Sequence, residues 1–190
     1  QFDEAWALAD GPLTLKALTA ACNQTSSRDP VVAYDPQLVE TTCQALKGKG
    51  LLRIVHPASG ERATRYRQVA DEALGLDAAE RAVVCVLLLR GAQTVPELRS
   101  RTERLHRFGG ADDVEAVLSG LAARADRPLT RLLERAPGQR EPRWIQLLQA
   151  DPDGRAEAAL HVTASSAGGG AARSPGRVDE LEGRVAALEA

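Results

Sequence analysis

The chain repeats itself at offsets of 75 to 80 residues, and that repeat constrains its fold more than any other feature. Sliding the sequence by 78 positions places Arg53 on Arg131, Ile54 on Leu132, Gly60 on Gly138, Arg62 on Arg140, Arg65 on Arg143 and Tyr66 on Trp144. Upstream, Val39-Glu40 falls on Val114-Glu115, Leu46 on Leu121, Thr14 on Thr94 and Leu18 on Leu98. A turn glycine, strand arginines and a paired aromatic coincide rarely by chance over so short a span. The chain therefore holds two copies of one unit.

Local signals give the content of that unit. In the first copy, Phe2, Ala5, Trp6 and Leu8 mark a helical face that ends at Gly11-Pro12. Thr14 caps a second helix with Leu15, Leu18, Ala21 and Cys22 on its apolar side. The polar stretch 23–30 breaks it. Asp35-Pro36 then opens a third helix, a cap followed by proline at the first position, with Val39, Cys43 and Leu46 facing inwards. Residues 51–55 and 64–67, joined by a turn at 59–61, read as a β-hairpin. In the second copy, Asp77 and Glu80 form a capping box ahead of the apolar run 82–89. Arg90 and Gly91 close that helix. Thr94 caps a helix containing Pro96, Leu98, Thr102 and Leu105, residues 111–124 form the next, and residues 129–133 and 142–148 form the hairpin.

The order helix, helix, turn, helix, hairpin is that of a winged helix-turn-helix. The predicted fold is α+β, mainly α, with two tandem winged helix-turn-helix domains at 1–70 and 71–150. A flexible linker at 151–176, rich in Gly, Ser, Asp and Pro, and a short C-terminal heptad helix at 177–190 follow. In the heptad, Val178, Leu181, Val185 and Leu188 take a and d positions, and Arg177 and Arg184 are placed to meet Glu182 and Glu189 of a second chain, so a homodimer is expected. The run 82–89 is apolar all round and far shorter than the roughly twenty residues a membrane span needs. One small domain covers only part of such a helix, so Val83, Val86, Leu87 and Leu88 are predicted to pack between the domains or against a second subunit.

Composition narrows the function. Twenty-four basic against 26 acidic residues leave a net charge of −2, so nucleic acid cannot be held by bulk charge and would need a local patch. Cys22, Cys43 and Cys85 are odd in number and sit among apolar neighbours, which reads as buried thiols in a reducing cytoplasm. No signal peptide or membrane span is apparent. His56, His106 and His161 do not group with cysteines at metal-ligand spacing, and no phosphate-cradling loop or nucleophile elbow occurs. No metal, no cofactor and no catalytic residues are expected.

Nucleic-acid binding is the commonest use of the fold, with the third helix in the major groove and the wing on phosphates. Two sets of residues suit it: the turn residues Asn23, Gln24, Ser26 and Arg28, and the cations Lys47, Lys49, Arg62, Arg65, Arg99, Arg101, Arg104, Arg140 and Arg143. Against it, residues 36–49 carry Glu40 early and cations only at Lys47 and Lys49, residues 111–124 open with Asp112, Asp113 and Glu115, which repel phosphate, and the arginines have Glu97, Glu103, Glu134 and Glu141 as partners at hand. The turn residues could equally serve local turn chemistry, with Arg28 bonding back to carbonyls. Two functions stand: a non-catalytic regulator that binds double-stranded DNA, or a scaffold whose winged helices take a protein partner.

Several ordered segments also resemble the bacterial YceH-like proteins. They are residues 13–18 and 21–31, Leu87-Leu88-Leu89-Arg90-Gly91 with Gln93-Thr94, residues 97–99 and 101–106, and Pro137-Gly138-Gln139-Arg140-Glu141-Pro142-Arg143. Thr25 stands where that resemblance leads one to expect lysine. The resemblance implies a tandem winged-helix fold, often with a C-terminal coiled coil, and no established enzymatic activity.

Overall fold

The structure, a computed structural model, describes residues 11–56, 63–135 and 138–149. The predicted helix at 2–8, the turn at 59–61, Arg62, the linker and the heptad with Val178, Leu181, Val185 and Leu188 lie outside the described residues. The chain is mixed α+β and mainly helical, with six helices and two small antiparallel sheets among the described residues.

Caps set the helix starts. Strand β1 (Leu13–Thr14) leads into α1 (Leu15–Cys22), where Thr14 Oγ1 accepts from the Ala17 N–H at 3.3 Å. Asp35 Oδ1 accepts from the Leu38 N–H at 2.9 Å to open α2 (Pro36–Gly48). This helix is left through Gly50, whose positive φ of 73° suits a residue without Cβ. Strands β2 (Leu52–Val55) and β3 (Arg65–Gln68) complete a sheet of order β1-β3-β2. A short helix, α3 (Ala70–Leu74), follows and ends in left-handed Gly75; no sequence signal had marked it.

In the second half, α4 (Ala78–Arg90) opens with the predicted capping box: Asp77 Oδ1 accepts from Glu80 N–H at 2.8 Å and Glu80 Oε2 accepts from Asp77 N–H at 3.0 Å. Thr94 and Glu97 do the same for α5 (Val95–Thr102). That helix stops short of Leu105. The Leu105 and His106 N–H groups both turn back to the Thr102 carbonyl at 2.8 Å. Helix α6 (Ala111–Ala122) and strands β4 (Thr130–Leu133) and β5 (Arg143–Gln146) complete the set.

The repeat holds down to single hydrogen bonds. Ile54 pairs with Tyr66 and Leu132 with Trp144, each 78 residues on. The Val69 N–H donates to Leu51 O at 3.0 Å, and the Leu147 N–H to Leu129 O at 2.9 Å. Gln68 Oε1 accepts from the Ala70 N–H as Gln146 Oε1 accepts from the Leu148 N–H. Even the short strand β1 has its counterpart: Leu13 pairs with Tyr66, and Gln93 bridges to Trp144. Two chain segments with unrelated surfaces thus share one backbone plan.

Each half fills its own core. In the first, Leu18 and Cys22 of α1 meet Val39 and Cys43 of α2, with Leu52 and Tyr66 of the hairpin closing the layer. In the second, Val83, Val86 and Leu87 of α4 pack with Leu98, Phe108, Val114, Leu118 and Trp144. Leu88 is half-buried beside Val84, Leu121 and Leu129. Val83, Val86, Leu87 and Leu88, expected between domains or subunits, thus pack against residues of their own half. Residues of α5, α6 and the hairpin cover α4 from within its own half. The link to the first half is polar instead. The Asp29 N–H donates to Leu89 O at 3.0 Å, satisfying one of the carbonyls a helix end leaves open. Arg81 Nη1 lies 3.1 Å from Asp71 Oδ2. Burial opposes ionisation of Asp71, but hydrogen bonds from the Glu72 N–H, Gln68 and Arg81 outweigh it and hold the carboxyl below its ordinary range. Arg124 clamps the α3–α4 junction, donating to Leu74 O at 2.6 Å, Gly75 O at 2.9 Å and both Glu80 oxygens at 2.9 Å.

Candidate nucleic-acid interface

The candidate residues divide by what their polar groups already hold. Asn23 caps α1 and lies against Tyr34, its Nδ2 donating to Tyr34 O at 2.8 Å and its Oδ1 accepting from the Tyr34 N–H at 2.7 Å. Arg28 is 6% exposed, and its Nη2 donates to Ala21 O at 3.0 Å. Arg143 is 17% exposed and donates from Nη1 to Ala92 O and Glu97 Oε2, each at 2.9 Å. All three bond within the chain, Arg28 buried and Asn23 and Arg143 half-buried, where a polar group taken from water needs a partner. Arg101 is half-buried with Glu97 Oε1 at 3.8 Å. Burial lowers its pKa, and Arg90 and Arg143 nearby push the same way against Glu97 and Asp29.

Most of the others face solvent. Gln24 and Ser26 are exposed at the tip of the turn, and Lys47 and Lys49 are exposed at the C-terminal end of α2. Arg99 and Arg104 are exposed on and just after α5, Arg140 is exposed in the second hairpin, and Arg65 is half-buried on β3. Arg53 and Arg67 flank Glu72 at 3.1 and 3.9 Å, both more than half exposed, so these pairs hold them weakly.

The sequence reading missed the outer face of α2. Val39, Cys43 and Leu46 turn inwards, which leaves Gln37, Thr41 and Gln44 on the opposite side, all exposed. The signal lay in the helical period itself: uncharged polar residues at i, i+4 and i+7 opposite the apolar stripe. Glu40 beside them is exposed, on the flank nearest Tyr66. Burial chiefly, then Glu40 and Cys43, raises the Tyr66 pKa. The corresponding face of α6 is different in kind: Asp112, Asp113 and Glu115 are exposed at its start, with Ala116, Ser119 and Gly120 beyond. Cys22, Cys43 and Cys85 are buried and form no disulfide with one another. Among the described residues no group of three His, Cys, Asp or Glu side chains could hold a metal, and no helix is long and apolar enough to cross a membrane.

Comparison with known proteins fixes the family. The model of a family described as "Protein of unknown function, DUF480" matches residues 7–139. This chain belongs to the DUF480 family. Among DUF480 relatives, a UPF0502 protein of Pseudomonas savastanoi pv. phaseolicola is 44% identical over 181 residues, covering 94% of this chain and 78% of its own. UPF0502 proteins of Klebsiella pneumoniae and Dechloromonas aromatica are 42% and 40% identical, again over 94% of this chain and covering 82% and 79% of their own lengths. The YceH-like resemblance is therefore a DUF480 membership that spans both halves.

Proposed function

We propose that each half is a winged helix-turn-helix domain and that the first half binds double-stranded DNA. The protein acts by recognition rather than catalysis. The observation that carries this is the solvent face of α2: the neutral polar side chains Gln37, Thr41 and Gln44, and exposed Lys47 and Lys49 at the end that runs into the hairpin. In a winged helix that face is the one a major groove receives, and the lysines beside it meet phosphates. The heptad at 177–190 would pair two chains and so present two such faces. A second use is favoured for the other half alone. Exposed Asp112, Asp113 and Glu115 on α6 repel phosphate and suit a basic protein partner.

Binding of the full chain to duplex DNA, followed by fluorescence anisotropy between about 50 and 200 mM salt, tests the reading. Affinity should fall steeply with salt, and Lys47→Glu with Lys49→Glu should flatten the logarithmic slope by about two. Absence of binding at the lowest salt, where phosphate contacts are strongest, would sink it.

A further inference from the structure

The outward stripe of α2 is selective in its chemistry. From Pro36 to Leu46 it holds no lysine or arginine, and cations begin only at Lys47. Guanine presents two acceptors in the major groove and is read by the paired donors of Arg or Lys, whereas cytosine is read by a carboxylate. The stripe offers no cation before Lys47, and its one acid, Glu40, sits on the flank nearest Tyr66 rather than between the two glutamines. It offers instead two amides, Gln37 and Gln44, each with a donor and an acceptor, which is the complement of adenine N6 and N7. Beside them stand Leu38, 48% exposed, Thr41 and Ala45, whose methyl groups match the thymine methyl. The exposure of Leu38 otherwise places a large apolar side chain in water. Gln37 and Gln44 lie two helical turns apart, a rise of about 10 Å, which corresponds to about three base steps. Gly48 ends the stripe with open space where a side chain would stand, so the backbone there can approach a groove wall.

We propose that α2 is a reader of A·T base pairs, with Gln37 and Gln44 each bonding an adenine about three steps apart in the major groove, and Leu38, Thr41 and Ala45 packing on thymine methyls. Helix α6 has no amide on its exposed face and does not read. This inference rests on the proposed DNA binding by the first half, but it fails in a different way.

Selection of bound sequences from a randomised duplex pool by the full chain, at low salt, tests it. The enriched site should carry A·T pairs at two positions about three steps apart. The affinity ratio between that site and a scrambled duplex should fall by about tenfold at one position in Gln37→Ala and at the other in Gln44→Ala. Both side chains are exposed, so the variants keep the core intact. Gln44→Arg should move the preference at its position from adenine to guanine, a gain that misfolding cannot imitate. Binding with no enriched site, or with an enriched site that none of these variants alters, overturns the reader and leaves DNA binding standing. No binding at low salt overturns both.

Discussion

Helices α2 and α6 hold the same place in two copies of one backbone and have become opposites at the surface. Both are anchored by the same kind of inward residues, Val39 and Cys43 in one and Val114 and Leu118 in the other, all fully buried. Outside, α2 shows amides, hydroxyls and terminal lysines, while α6 opens on Asp112, Asp113 and Glu115. The position after each helix makes the point sharply. Lys49 and Arg124 correspond at the offset of 75 that aligns Val39 with Val114. Lys49 is exposed, whereas Arg124 is spent on Leu74, Gly75 and Glu80. The backbone plan tolerates either fate because it depends on caps, strand register and inward apolar residues. Function can therefore diverge between the copies with no change of fold.

The comparison breaks most readily in the core. Val86→Asp places an unpaired charge among Leu87, Leu98 and Trp144 and should cost more than about 4 kcal/mol, unfolding the second half. Amide hydrogen exchange would show whether α1 and α2 keep their protection. If they do, the halves fold independently. If they lose it, the Asp29–Leu89 bond and the α3 junction couple them into one unit. Next in size is Arg124→Ala, which strips charge-assisted bonds from the junction and should cost about 3 kcal/mol in urea denaturation. Lys49→Ala, at the equivalent place, should leave stability within about 0.5 kcal/mol. Equal losses in the two variants would end the distinction between a structural and an exposed cation.

A pH-dependent effect belongs to the first half alone. Burial, aided by Cys22 and Glu40, pushes the Cys43 thiol up to about 11 from its ordinary 9.0. The folded state thus disfavours the thiolate, and the unfolded chain releases its proton first. Stability is fully present below pH 9 and should decline by about 2 kcal/mol as pH rises from 9 to 11. Denaturation midpoints measured across that interval should fall less in Cys43→Ala than in the parent chain.

Much of this was legible without coordinates. Asp35, Asp77 and Thr94 cap the helices predicted for them, because a cap acts within three residues of itself. The hairpins pair in the register the internal offset requires. Three features were not legible. Helix α3 has five residues and no side-chain cap, too short for a periodic signal. The outer face of α2 drew no notice because Gln and Thr are ordinary on any exposed helix. The cover that α5, α6 and the hairpin give α4 is a property of packing, not of any one segment.

The sequence by itself determined the repeat, the helix starts, the strand pairing and the inward residues of each helix, all of which follow from local geometry and the period of apolar positions. Only the tertiary structure decided which polar side chains are available to a partner. Arg143 donates to Ala92 O across 51 residues and Asn23 bonds Tyr34 across 11, while Lys47 and Gln44 face water. Whether a guanidinium or an amide finds a carbonyl nearby depends on segments distant in the chain, and burial then obliges it to stay there.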